Sequence, residues 1–136
     1  MPNIFLIINT VVSDKIFIAL VKGDEFYKKL TSRARSDKLL FLIDKILREC
    51  KRDARDIRGI VVVSGPGSFT AVRQGVATAN VFGFVLKIPV AGVRLDEFKN
   101  NKELFRAGVE KLKRAKVGDM VLPFYGREPN ITTPRA

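Results

Sequence analysis

Residues 59–93 read GIVVVSGPGSFTAVRQGVATANVFGFVLKIPVAGV, and among these 35 residues only Arg73 and Lys87 are charged. So low a charge density marks the buried centre of a fold. Ile60 to Val63 is β-branched throughout and predicts an interior strand. Ser64-Gly65-Pro66-Gly67 predicts a tight loop, and Ser68 can cap a helix reaching about Leu86. Pro89 ends that helical region, and Pro89 to Val93 predicts a further short strand. Along the helix, Ala71, Gly75, Ala79 and Gly83 recur every four residues. A ridge that small lets another backbone come unusually close, at a propensity cost of about 1 kcal/mol per Gly.

Working outward, Ile4 to Ile8 and Ile16 to Val21 are apolar on both faces, as strands in the middle of a covered sheet are. Gly23-Asp24 supplies a turn, and Glu25 to Thr31 alternates like a strand nearer the edge. Ser36 can cap a helix running to about Arg52, with Asp37 in its first turn. One core-facing stripe needs only residues 39, 43, 46 and 50, so Leu40 and Leu47 suggest a second buried face. After Val93 the charge returns, with 8 Lys/Arg and 4 Asp/Glu between Arg94 and Lys116. Asp96 to Asn101 reads as a short helix or a linker. Leu104, Phe105, Val109 and Leu112 then mark an amphipathic helix closed by Gly118. Pro123, Pro129 and Pro134 predict an extended tail. The order βββαβαβ, then a helix and a tail, defines an α/β domain with a mixed central sheet.

The composition narrows the chemistry. The 136 residues fit one domain and include 46% hydrophobic residues, enough for a packed core without a disulfide or metal staple. With no His and a single Cys, the chain cannot build a Ser–His–Asp triad, a Cys–His dyad, a His-containing zinc site or a four-cysteine site. Cys50, with apolar neighbours on a predicted helix, reads as core, and a reducing, cytoplasmic compartment is expected. Met1 to Asn9 lacks the basic start and long apolar run of a signal peptide. The apolar stretch from Val76 to Val93 is interrupted by Thr78, Asn80, Lys87 and Pro89, so no membrane span is expected.

Two motifs leave alternatives open. Gly65, Gly67 and Ser68 lie between strand and helix, where backbone N–H groups can hold a phosphate. Yet no Lys follows the glycines and no acidic residue lies about 20 positions on, so neither standard nucleotide fingerprint is met. A loop in which Gly avoids steric conflict reads equally from these residues. The second motif is basic. A net charge of +11 and the run Lys45, Arg48, Lys51, Arg52, Arg55 and Arg58 could track a phosphate backbone. Asp44, Glu49, Asp53 and Asp56 interleave with them, as on a solvated helix face. The acids of the chain fall on predicted surfaces, so no catalytic carboxylate pair and no metal site are assigned.

Ser64 to Val93 resembles the signature of the TsaB family, whose pattern runs G-P-G-S-F-T-G-L-R-x-G-x-A-x-A-[KR]-G-[LI]-A, followed by G-I-P and a short strand. Gly65, Pro66, Gly67, Ser68, Phe69, Thr70, Arg73, Gly75, Ala77, Ala79, Ile88 and Pro89 match it. Ile4 to Thr10 resembles the family's opening strand, Ser36 to Leu40 its H-S-E-x-L-L helix start, and Tyr125 to Thr132 its C-terminal Y-x-R-x-P-x-x-T. The chain departs from the pattern at Asn9, Arg35, Ala71, Asn80 and Val81. It is also short for the family, since most of a second subdomain is missing between Phe98 and about Lys102.

The resemblance implies one subdomain of the actin-like ATPase or ribonuclease H-like fold over residues 1–98, with residues 99–136 packing on it as a helix and extended tail. It implies a non-catalytic subunit in the synthesis of threonylcarbamoyladenosine in tRNA, docked on the catalytic subunit TsaD. ATP and metal would sit on TsaD, a TsaE-like ATPase could join the complex, and the chain alone could form a homodimer. The helices 36–52 and 68–86 would make the interface, through Leu40, Leu47, Ala71, Gly75, Ala79 and Gly83. On that expectation, Leu at position 75 blocks association and leaves the lobe folded. Arg48, Arg52 and Arg55 are the candidates for tRNA contact. A stand-alone homodimeric or RNA-binding scaffold is the alternative.

Overall fold

Strands that are apolar on both faces are stable only where helices cover both, and the chain supplies those covers in sequence order. In the computed structural model, which describes residues 4–12, 14–33 and 35–126, five strands form one mixed sheet in the order β3-β2-β1-β4-β5. Strand β1 (Ile4–Asn9) pairs antiparallel with β2 (Ile16–Lys22), which pairs antiparallel with β3 (Glu25–Ser32). On its other side β1 runs parallel to β4 (Ile57–Gly65), and β4 runs parallel to β5 (Val90–Arg94). This is the α/β class with a mixed sheet that the order of elements predicts. Interior residues Leu6, Ile8, Ile18, Leu20, Ile60, Val61 and Val62 are fully buried, while β3 is an exposed edge. Lys28 and Lys29 on that edge discourage pairing with another sheet.

Helices α1 (Leu39–Glu49) and α2 (Phe69–Leu86) lie side by side on one face, and α3 (Asn101–Leu112) covers the other. Gly108 lets α3 press its backbone onto Val61, because a Cβ there would lie 2.5 Å from Val61 Cγ1. Several boundaries differ from the sequence reading. The first helix starts at Leu39 after a 3-10 turn Ser36–Lys38, so Lys38 and not Ser36 occupies the N-cap, without a side-chain bond. The last helix stops at Leu112 and not near Gly118, and Asn100 caps it by accepting the Glu103 N–H at 2.9 Å. Ser68 does cap α2, accepting the Ala71 N–H at 3.2 Å.

The small-residue ridge of α2 faces the chain's own sheet. Gly75 sits on Thr10, where a Cβ would come 2.5 Å from Oγ1, and that hydroxyl donates to the Ala71 carbonyl at 2.7 Å. Ala79 is fully buried, and Gly83 lies against Val90, which opens β5. Two strand ends therefore touch helix backbone directly.

Beyond α3 the chain returns as a strap over the ends of β4 and β5. Asn80 grips it from α2, donating to the Val121 carbonyl at 2.9 Å and accepting the Val121 N–H at 3.0 Å. The Phe124 N–H donates to the Ser64 carbonyl at 2.8 Å. Tyr125 stacks on Phe69 with ring centroids 4.9 Å apart. The extended tail is thus observed as far as residue 126, and the resembling stretch from Arg127 to Thr132 lies outside the described residues.

Two substitutions check this packing. Gly75→Ala should lower stability by up to about 2 kcal/mol in urea titrations, since overpacking costs roughly 1–3 kcal/mol against a helix gain of about 1 kcal/mol. Gly75→Leu should cost more. Asn80→Ala should release the strap, and faster tryptic cleavage at Lys116 relative to wild type is the readout.

Candidate protein–protein interface

A helix that is apolar all round needs cover all round, and α2 is such a helix. Its inner face, Val72, Gly75, Val76, Ala79 and Gly83, is buried on the sheet. Its outer face has no cover among the described residues: Val81 is 60% exposed, Phe84 81% and Val85 64%. Next to them Leu40, at the start of α1, is 61% exposed, and Phe41 is also open. Leu40, Ala77, Thr78, Val81, Phe82 and Val85 line an apolar groove of about 290 Å³ between the helices. Exposed apolar groups gathered in this way are a candidate surface for another protein.

This geometry corrects most of the expected contact residues. Gly75, Ala79 and Gly83 are taken up by close packing inside the subunit, and Leu47 is buried in the core beneath α1. Ala71 is half-buried, with its carbonyl committed to Thr10. Of that set only Leu40 stands on the open face. A residue as large as Leu at position 75 would therefore disturb the lobe itself, because Thr10 stands where its side chain must go. The sequence reading does not single out the outer-face residues Val81, Phe84 and Val85, although a helix with Arg73 as its only charge signals two apolar faces. Met120 and Leu122 of the strap are exposed too, and Met120 shares a second groove with Val81 and Phe84.

The glycine loop serves packing in this structure. Gly65 has φ +133°, a conformation that favours glycine, and a side chain there would strike the Phe124 carbonyl. A Cβ on Gly67 would lie 2.8 Å from Val11 Cβ. Beside Ser68 lies a cleft of about 680 Å³, bordered by Thr10, Asp14, Lys15, Arg35 and Gln74. Asn9, buried at the end of β1, accepts the Val11 N–H at 3.1 Å, so its side-chain oxygen is engaged by the neighbouring loop.

The three basic candidates part company. Arg48 pairs with Asp44 one turn earlier, and Arg55 pairs with Asp53 at 3.4 Å. The Asp53 carboxyl is held below its usual range by the Arg55 backbone N–H and then by its guanidinium. Arg52 makes no ion pair among the described residues and lies over the Tyr27 ring, 5.5 Å from its centroid. Cys50 is half-buried at the C-cap of α1, and burial pushes its thiol up, which disfavours the reactive thiolate. Among the described residues no three His, Cys, Asp or Glu side chains gather to hold a metal, and no helix is long and apolar enough to cross a membrane.

The fold and its apolar outer face define a single α/β lobe with an uncovered helix layer. The solved structure described as YeaZ from Pseudomonas aeruginosa has the same fold, with TM-score 0.62 and 22% identity over 68% of this chain and 44% of that one. A family model described as TsaD: tRNA N6-adenosine threonylcarbamoyltransferase matches residues 26–95, just over half of the chain. The protein named tRNA threonylcarbamoyladenosine biosynthesis protein TsaB from Bacillus subtilis is 29% identical over 112 residues, covering 79% of this chain and 49% of that protein. Its namesake from Buchnera aphidicola is 30% identical over 96 residues, covering 68% and 45%. The chain belongs to the family of this model, and within it to the TsaB family. It spans about half the length of the curated relatives it matches.

One ion pair at the foot of the strap is testable through pH. Burial by itself would raise the Glu97 carboxyl, but the Lys111 ammonium and the Arg94 backbone N–H hold it below its ordinary 4.5. A depressed carboxylate stabilises the fold above its unfolded value and loses that contribution as pH falls through the folded one. Glu97→Gln should therefore cost less than about 1 kcal/mol at pH 7, as befits a partly exposed pair. The difference from wild type should shrink in urea titrations as the pH falls below 4.5.

Proposed function

We propose that this chain is a non-catalytic subunit in tRNA threonylcarbamoyladenosine biosynthesis, and that it docks on a TsaD-like catalytic subunit through the outer face of α1 and α2. The observation that carries this reading is the open row Leu40, Val81, Phe84 and Val85 on a helix whose other face is already filled. Family membership supplies the partner: the family model itself is described as the transferase, and a protein descended from the same fold can share a helix layer with it. Burying four such side chains offers roughly 6–12 kcal/mol of gross hydrophobic gain, at about 1.5–3 kcal/mol each. Part of it is lost to the cost of association.

The division of labour follows from the residues. Without His, the chain lacks the usual general base titrating near neutral pH. ATP, metal and the transfer step therefore belong to the partner in this reading, and the chain contributes a docking surface and positive charge. In the absence of the partner the same face would pair with a second copy.

Light scattering after size-exclusion chromatography, on the chain alone and mixed with the TsaD-like subunit of the same organism, tests the docking. A one-to-one complex is the expected result. Val85→Glu should weaken it at least about tenfold, which corresponds to about 1.4 kcal/mol. The same change should leave the melting curve of the chain almost unmoved, because exposed positions tolerate substitution within about 0.5 kcal/mol. A complex that forms equally well with Val85→Glu and Val81→Glu rules out this face.

A further inference from the structure

We propose that Lys22, Tyr27 and Arg52 form a contact for the phosphate backbone of RNA, at the end of the lobe away from the docking face. The proposal rests on the reading that this subunit works in a tRNA-modifying assembly, but the geometry is its own argument.

Strands β2 and β3 slip register between Leu20 and Val21: Leu20 faces Lys28, Val21 faces Phe26, and Tyr27 is left over. Such a bulge turns its extra residue out of the ladder and re-aims the side chain. Tyr27 is 43% exposed. Two cations from different elements converge on it. Lys22 ends β2 and brings Nζ to 5.8 Å from the ring centroid, and Arg52, beyond the end of α1, brings its guanidinium carbon to 5.5 Å.

Many cations of the chain lack an ion pair, but only here, among the described residues, do two of them converge on one ring. Lys28 and Lys45 both pair with Glu49, Arg48 with Asp44 and Arg55 with Asp53. Among the described residues neither Lys22 nor Arg52 has a carboxylate within ion-pair distance, and Glu25, opposite Lys22 across the hairpin, is no exception. The ring restrains two long side chains that would otherwise lose rotamer freedom on binding. Two uncompensated, restrained cations suit adjacent phosphates of one strand, and the exposed ring offers an unpaired base a stacking surface. A purely acidic protein surface would use the restrained cations but would not need the ring as a stacking platform. The cluster also leaves room for the partner: Leu40 lies in the first turn of α1 and Arg52 past its other end, and the 11-residue helix between them is about 16 Å long.

The test is a salt titration of binding to an unmodified, fluorescently labelled tRNA transcript, by the full chain alone and in complex with the TsaD-like subunit. Replacing Lys22 and Arg52 together by Ser should weaken binding about tenfold or more near physiological salt. It should lower the slope of log K against log salt by about 1.4–1.8, the value for two lost phosphate contacts. Lys22→Arg with Arg52→Lys should restore the slope, and Tyr27→Leu should weaken binding of single-stranded RNA more than of duplex. Arg48→Ser with Arg55→Ser, which removes only ion-paired cations, should change the slope by less than half as much. Circular dichroism melts confirm that each variant is folded; should the double Ser variant melt early, Lys22→Gln with Arg52→Gln takes its place. An unchanged slope in a folded variant overturns the proposal, as does the absence of tRNA binding by both chain and complex. So does loss of the TsaD-like subunit with RNA binding intact, which would make the cluster a protein contact. Docking failure with an intact salt response would count against the proposed function alone.

Discussion

Helix α2 rests on the sheet with hardly a side chain between them at two points, Gly75 over Thr10 and Gly83 over Val90, with Ala79 buried between. The rest of the structure depends on this close approach. It brings the Ala71 carbonyl within reach of the Thr10 hydroxyl, tying the helix start to the end of β1. It holds Asn80 where its amide can take both backbone groups of Val121, and so determines where the strap crosses. Because the inner face is filled by small residues on backbone, the larger residues Val81, Phe84 and Val85 are left on the outside. The exposed surface is a direct consequence of how tightly the opposite side is seated.

The strap shows a related economy. Residues 113–126 cover the ends of β4 and β5, and three contacts of different kinds hold them: an amide clamp at Val121, a backbone bond at Phe124 and a ring stack at Tyr125. Arg94 lies over the Phe124 ring, 4.6 Å from its centroid, and also faces Asp96 and Glu97. Gly65 and Gly92 make the room, since a side chain at either position would strike the strap. Gly65, which looks like part of a phosphate loop in one dimension, therefore acts in three dimensions as a seat for the chain's own later segment.

The two proposed surfaces divide by charge. The outer face of α1 and α2 near Leu40 and Val85 is apolar, while the hairpin end near Tyr27 is cationic. Placing a desolvated surface and a hydrated one at separate ends avoids the cost of burying unpaired charge in a protein contact. The paired cations are less informative, because exposed pairs such as Arg48 with Asp44 contribute little.

Much of this lobe was legible in the sequence. Runs such as Ile4 to Ile8 and Ile60 to Val63 specify interior strands, because a chain cannot leave both faces of a strand apolar in water. Pro89, Ser68 and Gly23 punctuate the elements through local backbone geometry. The family signature in Ser64 to Val93 was equally local, and it pointed to the relatives the chain matches. What periodicity could not decide was direction. A ridge of Ala71, Gly75, Ala79 and Gly83 promises a close neighbour, but an isolated helix has no means of telling whether that neighbour is its own sheet or another protein. The same limit hid Tyr27, whose exposure depends on a one-residue slip between strands, and it made Arg48, Arg52 and Arg55 look alike although only Arg52 lacks an acid beside it. Local sequence sets which elements form and which faces must be covered. Tertiary packing decides which cover arrives, because that depends on residues such as Thr10 and Val90 brought together from distant parts of the chain.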